Sequence, residues 1–135
     1  MTAPEPGIRI EFIPDGSDDA PLVLIWGYDI PATRELFHAI RAIRDGREQE
    51  ISFHKLPRFE GVGGIELFAQ MSDTGVGITQ RPGKAVLDWR LSDEKWQRVE
   101  DLLAPFCDRY SAPGPFQWLD ASGTISVIFS TGRGW

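Results

Sequence analysis

The sequence predicts a single α+β domain, with a mainly antiparallel sheet of about seven strands and two helices packed on one face, in the order ββα-ββ-βα-ββ. Three observations predict it. Seven short runs either alternate between apolar and polar residues or are apolar throughout, as strands are. Two longer runs place apolar residues at three- and four-residue spacing, as amphipathic helices do. Most connections are short, which favours antiparallel neighbours.

Each element follows from its own residues. Residues 1–7 hold two prolines and a glycine and predict a flexible arm; residues 8–135 form the domain. In "IRIEFI", Ile8, Ile10 and Phe12 share one face, and Arg9, Glu11 and Ile13 the other. "LVLIW" (22–26) is apolar on both faces, as a central strand is. Ala32, Leu36, Ile40 and Ile43 predict a helix over about 31–45, with Asp29 or Thr33 as its cap, Pro31 in its first turn and Gly46 as its terminator. "QEISFHKL" and "GIELFAQM" read as a hairpin across "PRFEGVG". "AVLDWRL" aligns Ala85, Leu87, Trp89 and Leu91 on one face. Ser92 caps a second helix carrying Trp96, Val99, Leu103, Phe106 and Tyr110, which Pro105 bends or ends near Ala104. "FQWLD" and "TISVIFS" make a last hairpin across "ASG".

Composition narrows the function. The chain has 135 residues, 41% hydrophobic and 25% charged, enough apolar material for one core. A net charge of -6 disfavours nucleic acid and anionic membranes, which require cations. The single cysteine, Cys107, excludes an intramolecular disulfide and reads as a core residue. No basic stretch followed by an apolar run opens the chain, and no run spans a bilayer, so a cytoplasmic location is expected.

The candidate motifs for chemistry fail on spacing or context. "GVGGIE" and "GVGITQ" carry Glu66 and Gln80 where a dinucleotide fingerprint needs its third glycine, and neither leads from a strand into a helix. In "RPGKAV", Ala85 replaces the magnesium-holding Ser or Thr of a P-loop. "DGSDD" begins like a calcium loop but lacks its glycine and its closing glutamate. The chain's two histidines, His38 and His54, have no metal-ligand spacing. No cofactor and no metal is expected.

Two patterns point to interaction. If both helices cover one sheet face, the opposite-phase residues, among them Glu11, Ser52, His54, Glu66, Phe68, Gln70, Asp88, Arg90, Gln117, Ser126 and Ile128, meet solvent or a partner, with Phe68 and Ile128 as the contact residues. Arg34, Arg41 and Arg44 form a stripe on the first helix that suits an anion or acidic partner as well as a solvated flank. Trp135 either folds back onto the protein or is offered to a partner. In size and charge, the compact acidic layout with its terminal "FQWLD…ISVIF" hairpin resembles small bacterial toxin-neutralising immunity proteins, a likeness that carries no residue across.

The expectation is a small acidic, non-enzymatic protein-interaction module, an inhibitor or immunity-type protein that covers a basic protein partner or associates with itself. The alternative is a small-molecule-binding domain or small enzyme with a cleft near His54, Glu50 and Asp73, where a carboxylate and an imidazole could do acid–base work.

Overall fold

The computed structural model describes residues 7–17, 20–74, 76–108 and 115–132. The N-terminal arm up to residue 6, Tyr110 and Trp135 lie outside these residues. The fold is α+β, as the periodicities predict. Its elements run β1 (Ile8–Ser17), β2 (Ala20–Trp26), α1 (Ile30–Arg44), β3 (Glu50–Ser52), β4 (Phe59–Gly61), β5 (Glu66–Met71), β6 (Gly77–Gln80), β7 (Val86–Leu91), α2 (Asp93–Leu103), β8 (Phe116–Asp120) and β9 (Ser126–Ser130).

Among the described residues the strands number nine and divide between two sheets, where the sequence predicts one sheet of about seven. The first has the order β4-β1-β2-β9-β8 and the second β3-β5-β7-β6. Both are mixed. The β1–β2, β8–β9, β3–β5 and β6–β7 pairs are antiparallel; β1–β4, β2–β9 and β5–β7 are parallel. Two departures from the expected hairpins produce this. Between β3 and β5 the chain leaves the second sheet, gives Phe59–Gly61 to β1, and returns. Arg58 turns it out with a left-handed φ of 67°, held by an ion pair to Asp29, and Gly63 and Gly64 turn it back at φ 66° and 79°. Between β5 and β7, the chain first builds β6 and then folds β7 back between β5 and β6, so that β5 and β7 run parallel.

A bridge from Ile78 to Ile125 joins the two sheets. There the backbones nearly touch: Gly77 has φ 84°, and a Cβ on it would lie 2.9 Å from the Gly123 nitrogen. Only glycine meets both conditions.

Both helices pack on one continuous core with both sheets. Asp29 caps α1 by accepting the Ala32 N–H at 3.1 Å, and Ala32, Leu36, Ala39, Ile40 and Ile43 are buried. Ser92 caps α2, whose Trp96, Val99 and Leu103 face inward; Pro105 lies in the 3-10 turn Ala104–Cys107 that follows. At the centre, Trp89 and Trp96 lie with ring centroids 4.8 Å apart and planes tilted by 57°, with Phe53 edge-on to both. Each buried indole N–H has a partner: Trp89 donates to Asp120 at 2.9 Å and Trp96 to the Gln70 carbonyl at 3.0 Å. A bulge in β8 between Trp118 and Asp120 turns Asp120 inward for this bond.

The outer face of the first sheet holds a second, smaller apolar cluster of Leu22, Leu24 and Ile128, with Ile13 and Trp26 beside it. Trp26 donates to Glu11 at 3.1 Å and lies 5.2 Å from the Arg9 guanidinium. No helix among the described residues is long and apolar enough to cross a membrane.

Candidate functional site: an acidic groove beside β3

The structure separates the two charges of α1. On one flank, its cations are engaged within the fold. Arg41 and Arg44 both reach Glu100 of α2, at 2.6 and 2.7 Å, and Arg44 also meets Asp93 at 3.2 Å. Glu100 is buried. Burial alone would raise its carboxyl pKa, but hydrogen bonds from Arg44 and Arg41 outweigh that and hold it below its ordinary value, while the bond to Glu100 raises the Arg44 pKa. Arg34 donates to the Cys107 carbonyl at 3.0 Å. The arginine stripe thus joins α1 to the segment Asp93–Cys107. Cys107 is partly buried, and burial raises its thiol pKa, which leaves it little thiolate character.

The other flank of α1 faces β3, an edge strand. Two open grooves lie on either side of the Glu48–Glu50 segment. One, of about 550 Å³, is lined by apolar Ala39, Ala42, Ile51 and Leu56, by Glu35, Glu48 and Glu50, and by His38 and Lys55. The other, of about 510 Å³, runs past Glu48 and Glu50 to Gln70 and Met71. Glu35, Glu48 and Glu50 are exposed, and among the described residues no cation pairs with any of them. Glu50 accepts only a neutral hydrogen bond, from Gln70 at 2.7 Å. Three carboxylates therefore line this groove without an ion pair of their own, with Lys55 as the cation among its lining residues.

The outer face of the second sheet is a closed polar network. Arg81 forks onto Asp88 with two bonds of 2.9 Å and lies 5.3 Å above the Phe68 ring. The hydrogen bond from Arg81 lowers the Asp88 carboxyl pKa. Gln70 links Glu50, Asp88 and Arg90.

His54 belongs to this face. Its Nδ1 accepts the Leu67 N–H at 3.0 Å, so the neutral ring carries its hydrogen on Nε2. That nitrogen is buried without a hydrogen-bond partner, 3.9 Å from Glu66 Oε1, and the ring stands edge-on to Phe68. With one nitrogen taken by backbone and the other enclosed, this arrangement gives His54 no exposed base. Glu50 lies at the grooves, and neither groove is lined by His54. Asp73 is exposed in the turn after β5 and lines neither groove. The three residues of the expected cleft are thus not gathered. Among the described residues, no group of three or more metal-ligating side chains occurs.

Phe68 and Ile128 are on different sheets, Phe68 half-buried beneath Arg81 and Ile128 fully buried beside Leu24. From the sequence, Glu35 and Glu48 stand near the arginine stripe as its counter-charges, whereas the structure pairs those arginines with Glu100, Asp93 and a backbone carbonyl. Glu100 was missed because helical spacing put a carboxylate among core positions without naming its partner. Compared with protein-family models, curated proteins and solved structures, the chain finds no match.

Proposed function

We propose that this chain is a protein-interaction module whose acidic groove between α1 and β3 receives a Lys- or Arg-bearing segment of a protein partner, in the manner of an inhibitor that covers a basic surface. One observation carries the reading: the arginines of α1 are engaged by Glu100, Asp93 and a carbonyl, while Glu35 of α1 joins Glu48 and Glu50 in lining a groove with apolar residues, where no ion pair ties them. Carboxylates beside apolar residues suit the long aliphatic stem and charged head of lysine or arginine. The net charge of -6 adds long-range attraction for such a partner and speeds encounter.

The test compares the protein with a Glu35→Gln, Glu48→Gln, Glu50→Gln variant of matching circular dichroism. Proteins retained from a host lysate by each are identified, and the purified ligand is titrated at two salt concentrations. A basic ligand that binds the parent, weakens as salt rises, and loses about tenfold or more in affinity for the variant supports the reading. Equal affinity for both proteins, or an acidic ligand indifferent to salt, overturns it.

A further inference from the structure

We infer that the outer edge of β8 pairs antiparallel with the same edge of a second copy of this chain. The site is independent of the acidic groove. Strand β8 closes one end of the first sheet, and among the described residues no strand lies beyond it. Its ladder with β9 fixes which groups point outward. The Thr131 N–H donates to the Pro115 carbonyl at 2.8 Å, and the register pairs Gln117 with Phe129. Alternation then directs the backbone groups of Phe116 and Trp118 away from β9. The same two residues hold the exposed rings, Phe116 at 37% and Trp118 at 39%, both on the outer face of the sheet. An open groove of about 290 Å³ lies between α2 and residues 118–122.

The usual protections of an edge are weak here. The strand reads Phe-Gln-Trp-Leu-Asp, and its one charge, Asp120, is turned inward to Trp89 and Ser122. The bulge lies beyond Trp118 and leaves the first three residues regular.

Self-complementarity selects a second copy as the occupant. An aromatic–Gln–aromatic strand run against itself about a two-fold axis at Gln117 sets Phe116 of each copy opposite Trp118 of the other. Those two pairs are the hydrogen-bonded ones, so the four outward N–H and C=O groups of each strand are satisfied together. The facing rings make two cross-strand aromatic contacts, and no like charges meet in an otherwise acidic protein. Gln117 faces Gln117 of the second copy, and the two five-stranded sheets become one of ten.

Sedimentation equilibrium of the full chain, up to about 1 mM, tests this alongside a Phe116→Lys, Trp118→Lys variant. The expected result is a twofold rise in mass with concentration for the parent and a monomer throughout for the variant. A Gln117→Cys, Cys107→Ser protein checks the register. The 117 positions form a non-hydrogen-bonded pair, about 4.5 Å between Cα atoms, within disulfide reach. Mild oxidation then yields a covalent dimer, whereas Thr79→Cys in the same background stays monomeric. A parent that remains monomeric, a dimer that survives both lysines, or a 117 cysteine that fails to cross-link overturns the proposal. The cross-link decides the matter if the lysine variant does not fold.

Discussion

At the scale of single residues, Glu100 has the largest consequences. It is a buried carboxylate facing two guanidinium groups from another helix. Glu100→Gln keeps the shape and removes the charge, leaving Arg41 and Arg44 without their anion. Breaking a buried pair costs about 3–5 kcal/mol. Arg41 is half exposed and keeps part of its hydration, so the expected loss is nearer 2–3 kcal/mol, read from the denaturant midpoint. The sign of the pH effect follows from the lowered carboxyl pKa values of Glu100 and Asp88, whose ordinary values are 4.5 and 3.8. The unfolded chain binds these protons more readily than the folded one, so their contribution is full above the ordinary values and is lost as pH falls through the folded ones. The melting temperature of the parent should therefore drop steeply below the ordinary carboxylate range, and that of Glu100→Gln should drop less. Equal slopes would show that other carboxylates control acid unfolding.

At the scale of elements, Asp29 ties three pieces together. It caps α1, pairs with Arg58 in its left-handed turn, and follows Gly27, whose φ of 144° and approach to Gly7 leave no room for a Cβ. Asp29→Ala should cost about 1–2 kcal/mol as a lost cap and should also loosen the excursion that forms β4, so amide exchange should quicken at Phe59–Gly61 more than within β5. Equal changes at the two strands would break the link between cap and turn. The elements themselves were largely legible in the sequence because each is coded locally. Alternation in "IRIEFI" and the spacing of Ala32, Leu36, Ile40 and Ile43 need no distant information. The division into two sheets was not legible. Phe59–Gly61 is too short to show a period, and the choice of β1 as its neighbour depends on where Arg58, Gly63 and Gly64 point the chain. The groove was half legible. Glu50 belongs to a visible strand, but that Glu35 and Glu48 stand without ion pairs is known only once the arginines of α1 are seen to turn toward α2.

At the scale of the whole molecule, the two sheets share the main core and are joined at Ile78–Ile125, and the first sheet's own cluster is only Leu22, Leu24 and Ile128 with Ile13 and Trp26, so neither sheet keeps the main core when the other opens. Unfolding should be a single cooperative transition. Far-ultraviolet circular dichroism, which reports strands and helices, and fluorescence, to which buried Trp89 and Trp96 contribute, should share one midpoint. Separate midpoints would mean that the sheets unfold independently. Gly77→Ala strikes this junction directly, forcing both a left-handed φ and a clash with Gly123, and should lower stability by about 1–3 kcal/mol without dividing the transition.

The parallel pairing of β2 with β9 has a consequence in time. Leu22 lies against Ser126, so this ladder, at the middle of the first sheet, closes only after about a hundred intervening residues are in place. Until then, β2 presents an unpaired edge of Leu22, Val23, Leu24 and Ile25, the most apolar strand in the chain. Folding dominated by such distant contacts is slow, and a nascent chain that has made β2 but not β9 is at its most adhesive. In pulsed hydrogen exchange during refolding, the amides of α1 should gain protection first and those joining β2 to β9 last.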